Sequence, residues 1–147
     1  MIILSKFAER LQELMFDNNA MTAKALAKAI GVAAPPITRY LKAERMPTVC
    51  NLVLIADYFH CSTDFLLGKE AENSCSSFLP CPPFSEQIVR LTKFFSMTFY
   101  RFYRDVGIPE STFFEWKNGT SQPTLESIVK IAAHFDCRVD FILGREN

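Results

Sequence analysis

The chain has 147 residues, enough for one ordinary domain or two small ones. Sixteen Lys+Arg balance sixteen Asp+Glu, which argues against a strong non-specific polyanion binder, since such proteins usually carry a basic excess. Hydrophobic residues at 49% and aromatic residues at 13% are high for a small soluble protein, and the surplus points to an interface.

No run approaches the roughly 18 apolar residues of a membrane span. Met1-Ile2-Ile3-Leu4 is too short to be the apolar region of a signal peptide, and Ser5-Lys6 follows at once, so a cytoplasmic chain without membrane association is expected. The cysteines are Cys50, Cys61, Cys75, Cys81 and Cys137, an odd set without a C-x-x-C pair, which reads as reduced thiols. With His60 and His134 the only histidines, a zinc site is disfavoured, and Cys75 and Cys81 are expected to sit idle in a loop.

In chain order, Phe7, Leu11, Leu14 and Met15 form an apolar stripe at i, i+4, i+7, i+8, which predicts a first helix. Thr22 is a candidate N-cap for a second helix that ends at Gly31, a residue suited to a left-handed C-terminal position. Pro35-Pro36 fit the first turn of a third helix, where absent N–H groups cost nothing, and that helix runs to about Ala43. Thr48 caps a fourth helix carrying Leu52, Ile55, Ala56 and Phe59; Ser62 caps a short fifth that stops at Gly68. Residues 69–83 hold Asn73-Ser74-Cys75-Ser76-Ser77 and Pro80-Cys81-Pro82-Pro83, a composition that predicts a partly stiffened linker. From residue 84 the same punctuation returns, with Thr98, Gly107, Thr124 and Gly144.

The return is a repeat. Asp64-Phe65-Leu66-Leu67-Gly68 recurs as Asp140-Phe141-Ile142-Leu143-Gly144 at an offset of 76 residues, which also pairs Pro47-Thr48 with Pro123-Thr124, Tyr40 with Trp116 and Cys61 with Cys137. Near the start the offset is 77, matching Phe7, Leu11 and Leu14 to Phe84, Ile88 and Leu91, so the second copy has lost one residue between its first two helices. Solenoids need at least three copies for a shared core. The sequence therefore predicts two all-α domains of five helices each, over 1–68 and 84–147.

A helix, a short turn with glycine and a second helix make the DNA-reading arrangement. Leu26-Ala27, Ile30-Gly31-Val32, Ile37-Thr38-Arg39-Tyr40, Pro47-Thr48 and Asp64-Phe65-Leu66-Leu67-Gly68 together resemble the lambda-repressor-like (Cro and XRE) helix-turn-helix family. The second copy resembles it through Phe102, Val106-Gly107-Ile108, residues 111–116, Asn118-Gly119 and Pro123-Thr124-Leu125-Glu126. The resemblance implies a double-stranded DNA-binding transcriptional regulator, repressor-like and prokaryotic or phage in kind, with no cofactor. It places Ala34, Pro35, Thr38 and Arg39 against bases, Ala23 where the family often has a glutamine, and Lys42 and Arg45 against phosphates, to which the DNA-reading hypothesis adds Lys24 and Lys28. In the second copy the matching positions are Phe99, Glu110, Ser111, Phe114 and Glu115, with Thr112 beside them and Lys117 and Asn118 near the backbone.

Departures from the family pattern refine this. Ala23, Ala34 and Pro35 offer only apolar contact, whereas Arg39 is able to hold guanine bidentately. Ala33 replaces the polar cap of the third helix. Glu110 and Glu115 place negative charge where phosphates would come, and Glu110 also suits a helix start. Tyr103 stands where the first copy has the small Ala27, so either the second helix pair packs differently or the tyrosine turns outward. Phe94, Phe95, Phe99, Tyr100, Phe102, Phe113, Phe114 and Trp116 exceed one small core; stacking on single-stranded bases is weaker than core and interface as a reading of them. Asp64 and Asp140 read as carboxylates at helix N-termini, and no catalytic constellation is present, so an enzyme is not expected. The first copy thus reads as the DNA reader and the second as the mediator of a homodimer or of a protein partner; the rival reading is an antirepressor-like or antitoxin-like interaction module.

Overall fold

The computed structural model describes residues 2–73 and 77–146, and among them all regular structure is helical. The chain divides into two compact units between Ser77 and Phe78. Cys75 lies outside the described residues; Cys50 and Cys81 are exposed and Cys61 is buried.

The first unit runs α1 (Ile2–Asp17), α2 (Ala23–Ile30), α3 (Ala34–Leu41), α4 (Val49–Tyr58) and α5 (Thr63–Leu66). Phe7, Leu11 and Met15 bury one stripe of α1, which packs on α3 and α5, and Leu14 sits half-buried at its edge; Leu26, Ile37 and Leu52 are buried in the same unit. The expected caps form: Thr22, Thr48 and Ser62 accept from the backbone N–H groups of Ala25, Asn51 and Phe65. Gly31 ends α2 in the left-handed region at φ 78°. Ala33 makes no side-chain cap, and α3 begins instead on prolines whose missing N–H groups leave nothing to satisfy. Tyr40 is fully buried, edge-on to Phe7, and its hydroxyl accepts from Asn51 Nδ2 at 3.0 Å.

The second unit repeats the plan with α6 (Phe84–Phe94), α7 (Phe99–Val106), α8 (Glu110–Asn118), α9 (Leu125–His134) and α10 (Val139–Leu143). The lost residue falls in the α6–α7 turn, 95–98, against 18–22 in the first unit. Thr98 and Thr124 cap as expected, and Gly107 and Gly144 close α7 and α10 with positive φ. Its core is more aromatic: Phe102, Phe113 and Trp116 are buried, and Phe84 meets the indole edge-on at 5.7 Å.

Asp140 opens α10, but the helix terminus is a minor part of its environment. Its carboxylate is fully buried and receives Arg145 Nη1, also fully buried, at 2.5 Å. Burial of two ions is tolerable only with such close pairing, and Arg138 Nη2 adds a second guanidinium 3.5 Å from the same carboxylate. The segment 69–83 is also less free than its composition suggests. Arg10 donates to the carbonyls of Glu70 and Ala71, and Asn73 Nδ2 donates to His60 O. On the other side Leu79 N–H donates to Arg145 O at 2.8 Å, and the Arg145 guanidinium lies over the Phe78 ring.

Candidate nucleic-acid interface

In each unit the helix–turn–helix pair is set by buried anchors that leave the outer face of the second helix in solvent. In α3, Ile37 and Tyr40 point into the core, which turns Pro35, Thr38 and Arg39 outward. The spacing is helical: buried residues three apart leave the positions between them on the opposite side. Gln12 Nε2 of α1 donates to Leu41 O at 2.7 Å and so pins the C-terminal end of α3 to the unit. Lys42 follows at the helix C-cap and Arg45 in the next turn, both exposed. Lys24 and Lys28 of α2 are exposed, while Ala23 and Ala34 are half-buried at the edge of the same surface.

Among the described residues, the side chains of Lys24, Lys28, Arg39, Lys42 and Arg45 meet no hydrogen-bond or ion-pair partner. Thr38 Oγ1 donates weakly to Ala34 O at 3.5 Å, a contact easily exchanged for an external acceptor. Residues 23–45 carry these five cations and one acid, Glu44. A set of unneutralised cations along α2 and around the C-terminal end of α3 is the electrostatic requirement for holding a phosphate backbone.

In the second unit, α8 buries Phe113 and Trp116 and turns Ser111, Glu115 and Asn118 to solvent, with Thr112 and Phe114 half-buried. Residues 99–121 hold three cations against three acids. The cations are also engaged. Arg101 and Arg104 both reach Asp105, at 3.8 and 3.0 Å. Lys117 Nζ lies 5.3 Å from the centre of the Phe99 ring, and Lys130 donates to the carbonyl of Gly107 at 2.9 Å, capping the end of α7. Lys117, expected near a DNA backbone, is therefore drawn onto an aromatic face of its own unit.

Tyr103 settles the packing alternative. It is half-buried at the surface, 5.5 Å from Phe113 and 6.1 Å from Phe114 ring to ring, so it turns outward over these rings and α7 still packs on α8. Desolvation pushes its phenol above the ordinary value, and the charges of Glu110 and Tyr100 add to the rise. Hydrogen bonds to Tyr100 and Asp105 hold the Arg104 guanidinium more firmly protonated still. Of the aromatic surplus, Phe94 and Tyr100 remain mostly exposed, and Phe95 stacks on Phe135 at 3.9 Å in a half-buried cluster. The partnering of Arg138 and Arg145 with Asp140 gave no sequence signal, because an arginine near a chain end reads as a surface charge until the fold closes over it.

Two family models match this chain. Residues 93–146 match a Cro/C1-type helix-turn-helix DNA-binding domain, and residues 17–66 match a helix-turn-helix domain. No curated protein and no solved structure matches it significantly. No described helix is long and apolar enough to cross a membrane. With both helix–turn–helix pairs matched and built alike, the chain belongs to the Cro/C1-type helix-turn-helix family, which it carries as two tandem copies.

Proposed function

We propose that this protein is a sequence-specific, non-enzymatic regulator in which the first copy reads duplex DNA and the second pairs two chains. The observation that carries this division is the contrast between the two equivalent faces. Five cations stand open over 23–45, whereas over 99–121 charge is balanced and the cations are occupied within the unit. Arg39 supplies base discrimination, and Thr38 and Pro35 touch the same groove. Lys24, Lys28, Lys42 and Arg45 hold phosphates, with Ala23 and Ala34 allowing close approach. The second copy's Ser111, Thr112, Glu115, Lys117 and Asn118 then lie at an interface that DNA does not visit, and a homodimer presents two first copies to a palindrome.

Selection of bound fragments from random duplex DNA, followed by salt titration of the winner, tests this reading. Affinity should fall steeply with salt, and the selected site should be a repeat of two half-sites. Absence of any enriched sequence would favour the other reading, an antirepressor-like module that engages protein through the aromatic face of the second copy. Tyr100, mostly exposed on that face, is what supports that alternative.

A further inference from the structure

We infer that the surface by which chains pair is the second copy's own degenerate reading face, joined to the same face of a second copy about a two-fold axis. The inference rests on the pairing role proposed above and names its site.

Four rings gather on this face. Phe99, Tyr100, Tyr103 and Phe114 stand at the positions that are Ala23, Lys24, Ala27 and Thr38 in the first copy. They are already in mutual contact: Tyr100 lies 5.6 Å from Tyr103, Tyr103 6.1 Å from Phe114, and Phe99 6.4 Å from Phe114. Tyr100 is 56% exposed and the other three are half-buried, so the patch is apolar, supported from beneath by buried Phe113 and accessible from above. Rings locked in this way lose little conformational freedom on association, which is why preformed aromatic patches suit protein contacts.

Charge selects the occupant. Arg101, Arg104 and Lys117 are matched by Asp105, Glu110 and Glu115, so the face is neutral but carries both signs around an apolar centre. A neutral face gives a polyanion no net attraction, and a strongly charged protein of either sign gains no steering from it. A second copy of the same face fits. In a two-fold contact residue i meets j while j meets i, so Arg104 faces Glu110 of the second copy and Glu110 faces Arg104 of the second copy. The exposed Arg104–Asp105 pair is weak enough to share or release the guanidinium for this. The groove beside Phe94, lined by Leu79, Arg90, Leu91, Phe141 and Glu146, takes no residue from α7 or α8, so it lies off the reading face and serves as the control.

The experiment is sedimentation equilibrium of the full chain, parent against variants. Tyr103→Ala installs the residue that the first copy folds with at this position, and it should raise the dimer dissociation constant by about tenfold or more, as loss of a central aromatic does. Glu110→Arg should do the same, and Arg104→Glu combined with Glu110→Arg should restore pairing to within about threefold of the parent, because the two-fold contact is rebuilt with signs exchanged. Phe94→Ser should leave pairing unchanged. A parent that pairs while all the face variants pair equally well would overturn this inference and leave the pairing role standing. Loss of pairing in Phe94→Ser alone would do likewise and move the contact to the groove. A parent monomeric at every concentration would overturn the pairing role and this inference together. Loss of duplex affinity in Tyr103→Ala without a change of mass would assign the face to DNA and also overturn it.

Discussion

Arg39 and Glu115 occupy the same station, the sixth residue of α3 and of α8, and both side chains face solvent. The two copies therefore present opposite charge at the point where a recognition helix meets base edges.

Replacing Arg39 with alanine should cost about 1–3 kcal/mol on a selected site and relax preference at one base pair. Lys42→Ala should weaken all duplexes alike and lower the salt slope by about one. Fluorescence anisotropy over a salt series separates the two effects. Wild-type affinity in both variants would remove the first copy from the DNA interface.

Tyr40→Phe deletes the acceptor of Asn51 Nδ2 inside the first unit and should cost about 1 kcal/mol of its stability. Trp116, the single tryptophan, is buried in the second unit, so its fluorescence follows that unit. If the units unfold independently, the variant shifts the urea midpoint seen by far-ultraviolet dichroism and leaves the tryptophan midpoint in place. A shift in both would mean that the units unfold as one.

Glycine substitutions should differ by location. Gly31 and Gly144 both have positive φ, so alanine at either costs about 1–2 kcal/mol for the left-handed backbone. A Cβ at Gly31 meets open space, whereas at Gly144 it would stand 2.7 Å from Pro82 Cδ and 3.0 Å from Gln87 Oε1. Gly144→Ala should therefore be more damaging than Gly31→Ala by about 1–3 kcal/mol of overpacking. Urea titration of each variant measures the difference, and equal losses would contradict the contact of Pro82 with the end of α10.

Limited proteolysis should cut first within 69–83 and leave two resistant fragments. Bonds near Glu70–Ala71 and Phe78–Leu79 should be cleaved late, since their backbone is held by Arg10 and by Arg145 O. Arg10→Ala should then open the 70–71 region to cleavage. Early cutting inside a repeat instead would contradict the two-domain proposal.

The helix plan was legible in residue order because its determinants are local. Thr22, Thr48, Thr98 and Thr124 cap the helices they precede, and Gly31 and Gly107 end them, through backbone geometry that a few neighbouring residues specify. The internal offset was equally legible, and with it the duplication of the helix–turn–helix pair and the charge reversal at Arg39 and Glu115. Tertiary structure alone decided the matters that depend on residues distant in the chain. Tyr103 was open to two packings until Phe113 and Phe114 of α8 were placed beneath it. Lys117 read as a residue near a DNA backbone, and its place 5.3 Å from the Phe99 ring emerged only with the fold. Asp140 read as a helix-start carboxylate, and its burial with Arg145 emerged only when the end of the chain closed over α10. The composition of 69–83 announced a linker, but hydrogen bonds from Arg10 and to Arg145 O decide how much of it is free. Capping and periodicity act within a turn or two of helix, while the partner of a long side chain is chosen by whichever group the packed fold brings within reach.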